Sequence, residues 1–228
     1  INILAHDLKN PLTVIIGFSE LIIEGSRAGT LSKDKEYLYL NMIKDSGARM
    51  RQLIDSTLCY GKLKSGKYSL TISEFDLANI AREAASYLST EAEKTPISIY
   101  INGHELIEEM EELTPVMIMG DRDLILRSVG NYISNALKYA SSLIEVSLRE
   151  RDEDVLISVK DDGSGIPIDH IDLIFGDYYM VPGGKPGTGL GLPSVRMIAE
   201  LHNGKAWAES EEGQGSTFYL RLPKRQGA

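Results

Sequence analysis

The stretch AHDLKNPLT, residues 5–13, places an imidazole, a carboxylate and a carboxamide within five positions. An imidazole nitrogen can act as a nucleophile, and a carboxylate beside it can hold its tautomer and take its proton. His6 and Asp7 therefore make a candidate nucleophile and base. Asn10 stands four residues after His6, one turn further on the same helical face. Leu4 and Leu8 lie two positions either side of His6, about 200° around a helix of 3.6 residues per turn. With those leucines turned to a core, His6 turns to solvent. Pro11 lacks an amide hydrogen, so it is expected to kink the helix and leave the Asp7 carbonyl without its usual donor.

A second set of polar residues lies in the other half of the chain. In NYISNALKY (131–139), Asn131 and Asn135 are spaced i, i+4, with Lys138 and Tyr139 following. Asparagine is a poor helix former, so two on one face read as ligands. The Asn135 carboxamide oxygen suits Mg2+, a hard ion. Lys138 can meet a phosphate and Tyr139 can cover a base. DDGSGIP (161–167) follows a strand pattern. Asp161 can accept from an exocyclic amine, and Gly163 and Gly165 let the backbone approach a ligand. The oxygen spacing there is wrong for a calcium loop. PGGKPGTGLGL (182–192) enters a helix, where backbone N–H groups over Gly187, Thr188, Gly189, Leu190 and Gly191 can receive phosphate oxygens. GQGSTF (213–218) is a fourth cluster, readable by itself as a hairpin turn.

These groups need elements to hold them. Residues 1–65 read as two helices. Ile1, Leu4, Leu8, Pro11, Ile15, Phe18 and Ile22 keep a three-then-four spacing, as do Leu40, Ile43, Gly47, Met50, Ile54 and Thr57. Met42 and Leu53 widen the second stripe. Ser32 is the expected N-cap of the second helix. Two helices bury too little alone, so two hairpins are expected to pair as a four-helix bundle in a homodimer. The first helix starts in mid-pattern, which reads as a fragment whose upstream part is missing. GKLKSGKY (61–68) is the expected linker, giving domains 1–66 and 67–228. Beyond it strands are expected at 69–73, 97–101, 116–120, 142–150, 154–161, 205–210 and 216–222. Helices are expected from Asp76, over 121–139 and over 188–202. The fold class is α+β in two domains, the second a layered α/β sandwich. The acidic run GHELIEEMEEL (103–113) has no derivable purpose.

Charge and composition narrow the function. Residues 1–68 hold 10 Lys and Arg against 7 Asp and Glu, and residues 69–228 hold 14 against 26. So acidic a second domain argues against nucleic-acid binding. Cys59 is the single cysteine, which excludes an internal disulfide and fits a reducing, cytoplasmic setting. His6, His104, His170 and His202 lack metal-ligand spacing. No apolar run is long enough to cross a bilayer, so a membrane enters only through an upstream region, if at all.

The four clusters, in this order and behind AHDLKNPLT, resemble the sensor histidine kinases of two-component signalling over about residues 4–223. The likeness rests on an H box (His6), an N box (Asn131, Asn135), a G1 box (Asp161, Gly163, Gly165), Phe175, a G2 box (Gly187, Gly189, Gly191) and the final glycine turn. It implies a dimerisation and phosphotransfer hairpin followed by a Bergerat-type ATP-binding domain. It implies ATP-dependent phosphorylation of His6 with Asp7 as base, then transfer to the receiver domain of a response regulator. It further implies Asn135 as the Mg2+ ligand, Lys138 at a phosphate, Tyr139 beside the adenine and Asp161 at its amino group. Thr188, Leu190 and, in the last glycine turn, Thr217 are counted with the nucleotide contacts. Asn10 is implied in dephosphorylating the regulator.

The chain departs from the family after Phe175. It reads FGDYYM, with Met180 near an expected arginine, and Lys185 is the candidate replacement cation. The glycine- and proline-rich stretch 176–187 is expected to be a lid. The same nucleotide fold resembles gyrase-type and Hsp90-type ATPases, which place a glutamate four residues before the magnesium asparagine. Here that position is Asn131, which is no base. A non-enzymatic ATP-binding signalling module is the other alternative.

Overall fold

The structure, a computed structural model, describes residues 2–92, 97–106, 113–185 and 187–225, without the side chains of 2–6 and 87–92. The direction expected for the His6 side chain, the centre of the acidic run and Pro186 lie outside the described residues. The chain forms two compact units, Ile1–Gly61 and Lys62–Ala228.

The first unit is a helical hairpin of α1 (Asn2–Arg27) and α2 (Lys33–Lys64, whose last turn lies in the second unit). The turn closes α1 by donating from Thr30 N–H to the Gly25 carbonyl at 2.9 Å and from Gly29 N–H to Ser26 at 3.2 Å, which satisfies end carbonyls. Ser32 caps α2, its Oγ accepting from Lys35 N–H at 3.4 Å. The α1 helix continues through the buried Pro11, since one missing amide hydrogen leaves the flanking bonds in place. One expectation changes here: the α2 helix continues through Gly61 to Lys64, so the first half of the expected linker is helical.

The seam differs as well. On α2 the half-buried stripe is Tyr39, Ile43, Ser46, Met50, Leu53 and Thr57. Tyr39 meets Phe18 of α1 with ring centroids 5.1 Å apart. The expected stripe shares Ile43, Met50, Leu53 and Thr57 but takes Leu40, Met42 and Ile54, which are 51%, 41% and 43% exposed. Both stripes have heptad spacing, so apolarity alone could not choose between them.

The second unit begins with β1 (Ile72–Asp76), three residues later than expected, and α3 (Leu77–Ala92). The Asp76 carboxylate accepts from Ala78 N–H at the start of α3 and from Val116 N–H, both at 2.9 Å. Then come β2 (Ser98–Ile101), the short β3 (His104–Glu105), β4 (Met117–Asp121) and α4 (Arg122–Tyr139). The hairpin β5 (Leu143–Glu150) and β6 (Asp154–Asp161) precedes the one-turn α5 (Ile168–Ile171), α6 (Gly191–Leu201), β7 (Lys205–Glu211) and β8 (Gly215–Pro223). β3 and α5 were not expected; both are too short to show a period.

Strands β1 and β4 pair antiparallel as a small sheet, and six strands form the main sheet in the order β3-β2-β5-β6-β8-β7. Among the described strands only β2 and β5 pair parallel. Alternation sets the layers: Val155, Ile157 and Val159 of β6 and Phe218, Leu220 and Leu222 of β8 are buried. The buried Tyr132 of α4 packs on that face, 5.4 Å from the Phe218 ring, and its hydroxyl donates to the Tyr219 carbonyl at 2.9 Å. Helices thus cover one face of the sheet.

Candidate functional site

The site is built on α4, whose start is fixed at three points. Asp121 caps it, accepting from Leu124 N–H at 3.2 Å, and its other oxygen accepts from Thr71 N–H at 2.9 Å. His202, wholly buried at the end of α6, accepts from Asp121 N–H through Nε2 at 3.0 Å. Its Nδ1 lies 2.7 Å from the Ile198 carbonyl, which requires the proton on Nδ1. Sequence reading passed over His202, because nothing local announces a partner 81 residues away.

The glycine-rich loop runs back along the outer face of α4. Near the end of α4, the Tyr139 hydroxyl donates to the Lys185 carbonyl at 3.5 Å. The Lys185 ammonium donates to the Lys138 carbonyl and lies 5.9 Å from the Tyr139 ring centroid. A Cβ on Gly187 would lie 3.5 Å from the Lys138 Nζ. Two turns earlier on α4, Asn131 Nδ2 donates to the Gly191 carbonyl at 3.4 Å, where α6 begins. Asn135 lies between, half-buried and with no hydrogen-bond partner among the described residues. The structure therefore brings Asn131, Asn135, Lys138, Tyr139, Lys185, Gly187 and Gly191 onto one strip. The strip includes Thr188, Gly189 and Leu190, with Leu190 N–H donating to Thr188 Oγ1 at 3.2 Å. Helix α6 starts at Gly191, later than expected, because the preceding residues belong to the loop. Its first N–H groups have no side-chain cap.

Gly189 sits at φ +64° against Tyr178, which donates its N–H to the Gly189 carbonyl at 3.0 Å. A Cβ there would come within 2.7 Å of the Tyr178 backbone. This pairing ties the start of the loop region to its end. Gly163 and Gly165 have a nearer reason than a ligand. A Cβ on Gly163 would overlap the Tyr139 carbonyl, and one on Gly165 the Glu211 carbonyl.

Two adjacent aspartates divide the work at the end of β6. Asp161 is buried and accepts from Gly163 N–H at 2.9 Å. Burial pushes its carboxyl above the usual range, and N–H donors from Gly163 and Ser216 partly oppose that. Asp162 accepts from the N–H groups of Ser141, Ser142 and Leu143 and from the Ser142 hydroxyl. Its partial burial works the other way, but these donors win and hold it well below the ordinary carboxylate range. Asp162 thereby pins the turn between α4 and β5 to the end of β6.

Thr217 is a correction. It lies on the opposite face of the sheet, beside Lys160 and Glu209, and is not brought to the other residues. The neighbouring Ser216 is, as the buried cross-strand partner of Asp161 with its Oγ 3.0 Å from the Ser210 Oγ. Strand parity counted back from Phe218 and Leu220 carries that signal. Asp7 is half-buried and Asn10 exposed on α1.

The residues present fit Mg2+ held with a nucleotide. Asn135 offers an unengaged oxygen, and no cluster of three or more His, Cys, Asp or Glu able to hold a metal occurs among the described residues. A cation here would draw its remaining ligands from phosphate and water.

A phosphate-ready loop laid along an asparagine-bearing helix, on one face of a mixed sheet, defines an ATP-binding domain. Two family models match the chain: "His Kinase A (phospho-acceptor) domain" over residues 1–66, and "Histidine kinase-, DNA gyrase B-, and HSP90-like ATPase" over 120–226. The methanogenesis regulatory histidine kinase FilI of Methanothrix harundinacea is 31% identical over 223 residues, 96% of this chain and 24% of that protein. The catalytic domain of histidine kinase ThkA superposes with TM-score 0.58 at 25% identity, covering 68% of this chain and 99% of that one. Histidine kinase ThkA in complex with the response regulator TrrA shares the fold at TM-score 0.66 and 24% identity, covering 96% of this chain and 59% of that one. The chain belongs to the sensor histidine kinases and comprises their phosphoacceptor and ATP-binding regions. It spans between 11% and 45% of the length of the curated relatives that it matches.

Proposed function

We propose that this chain transfers the γ-phosphoryl group of ATP to His6 and then to an aspartate of a response regulator's receiver domain. The reading is carried by the strip on α4, where the glycine loop leaves the Asn135 carboxamide unengaged between two lysines and an uncapped helix start. An imidazole nitrogen forms the N–P bond as the P–O bond to ADP breaks, and Asp7 takes the ring proton. Mg2+ at Asn135 would supply charge neutralisation of the phosphates. Asn131 holds the start of α6, Lys138 and Lys185 meet phosphate, Tyr139 covers the adenine and Asp161 accepts from its amino group. Residues 1–66 form the phosphotransfer domain and 67–228 the ATP-binding domain, with 176–187 closing as a lid.

The hairpin works as a homodimer. Leu12, Ile16, Ile23, Leu40 and Leu58 are 46% to 59% exposed, an apolar surface that a second hairpin would cover. No described helix is long and apolar enough to cross a membrane; the proposed setting is the cytoplasm. Incubation with γ-labelled ATP tests the reaction. Acid-labile label is expected on the chain and none on His6→Gln, whose ATP affinity stays near wild type. Free phosphate without labelled protein would instead indicate an ATPase, and binding without either product a non-enzymatic module.

Asn10 is exposed on the helix that carries His6, one turn further on. A carboxamide there can orient water against a docked aspartyl phosphate. Asn10→Ala is expected to keep autophosphorylation and to slow regulator dephosphorylation by about tenfold or more. Equal loss of both activities would refute the separate role.

A further inference from the structure

The face of the six-stranded sheet turned away from α4 bears no helix of its own unit among the described residues, and its side chains form rows fixed by register. Ser147, Ser158, Tyr219 and Trp207 stand side by side across β5, β6, β8 and β7. The next row, about 7 Å along the strands, is Arg149, Leu156, Arg221 and Lys205. Two adjacent serines among longer neighbours leave a hollow of about 260 Å³. The hydroxyls of Ser147 and Ser158 and the guanidinium of Arg149 have no hydrogen-bond or ion-pair partner among the described residues. Arg221 is only loosely paired, 3.7 Å from Asp154. At the wall, Tyr219 stacks on Trp207 with centroids 4.9 Å apart at 14°, and Lys205 lies 5.8 Å from the Trp207 ring centroid.

We propose that this face docks an acidic extended segment of a partner protein, seating one carboxylate in the serine-floored hollow beside Arg149. Tryptophan, tyrosine and arginine are the residue types that dominate protein-interface energetics, and here they adjoin one open hollow. The sign of the partner follows from charge. Residues 69–228 hold 14 Lys and Arg against 26 Asp and Glu, so most of this unit repels an acidic partner and the Arg149 row attracts it. On the other side of the serine row Glu145 and Glu209 flank Lys160 and Thr217, so the favourable side of the hollow for a carboxylate is the Arg149 row. The face lies opposite the α4 strip, so docking there leaves the nucleotide site open.

Trp207 is the only tryptophan in the chain, so its emission reports on this face directly. The whole chain is titrated with a capped peptide of alternating glutamate and leucine, following Trp207 emission and the backbone amide shifts of Ser147, Ser158 and Tyr219. Saturable changes at these positions are expected, weakening as salt is raised. The double variant Arg149→Glu/Arg221→Glu is expected to weaken binding by about tenfold or more. A second variant, Ser147→Leu/Ser158→Leu, fills the hollow and is expected to do the same, with ATP affinity unchanged in both. The proposal is overturned by an absent response, by equal binding of the glutamine–leucine or lysine–leucine peptide, by undiminished binding to both variants, or by free glutamate saturating the face at the same concentration.

Discussion

The hairpin and the ATP-binding unit are held together by different means. In residues 7–61 only Pro11 and Tyr60 are buried, while Leu12, Ile16, Ile23 and Leu40 stay about half exposed. In the second unit the central side chains Ile125, Val129, Ile133, Ile157, Val159 and Leu220 are completely covered. A two-helix element has one seam and an unfinished outer stripe, whereas a sheet with helices on one face closes its own core. The proposed phosphate acceptor thus sits on an element with an uncovered apolar stripe, and the proposed nucleotide site on one that closes its own core.

The comparison breaks most decisively at the outer stripe. Ile16→Asp with Leu40→Asp is expected to turn the dimer into a monomer and to cut His6 labelling by about a hundredfold or more. Each such residue is worth about 1.5–3 kcal/mol when buried. ATP affinity should not move; a variant that stays dimeric by light scattering would contradict the assignment of that stripe. Asn135→Ala is expected to do the reverse, lowering Mg-ATP affinity by on the order of a hundredfold while the chain remains dimeric, as calorimetry and light scattering together would show.

Asp161→Asn sharpens the contrast within the second unit. Its carboxyl is raised in the folded state mainly by burial, so the folded chain holds this proton more tightly than the unfolded chain does. Stability therefore falls as pH rises from the ordinary carboxylate range through the folded value. The amide removes that dependence. The expected result is loss of nucleotide binding together with a thermal midpoint raised by about 2–4 °C at neutral pH. Asp162→Ala has the opposite sign. This carboxyl is lowered on folding, so its contribution is present above the ordinary carboxylate range and is lost as pH falls through the folded value. Denaturant unfolding at pH 7 should show a lower stability, the loss limited because solvent reaches the freed N–H groups, with little direct change in the chemistry of the site. The smallest effect is expected from Met180→Arg. Met180 is 45% exposed, and Lys185 is engaged at the Lys138 carbonyl. A severalfold gain in nucleotide affinity is expected if Lys185 must leave that carbonyl to reach phosphate, and isothermal titration would measure it.

Sequence alone determined the two helices, the strand-rich second unit and the strip Asn131, Asn135, Lys138, Tyr139 and Gly187–Gly191. Those signals are local: spacing of three and four, Ser32 before a helix, glycine where the chain meets a helix start. Tertiary structure decided what local pattern leaves degenerate. It chose Tyr39 and Ser46 over Leu40 and Gly47 for the seam, and kept Leu53 rather than Ile54, because two overlapping heptad stripes differ only in what they meet. It put Ser216 inward and Thr217 outward, because a strand turns adjacent residues to opposite faces and only pairing with β6 fixes which. It gave Asp161 a buried place and its neighbour Asp162 the task of pinning the turn between α4 and β5 to the end of β6. It joined His202 to Asp121 across 81 positions, a contact that no window of sequence contains.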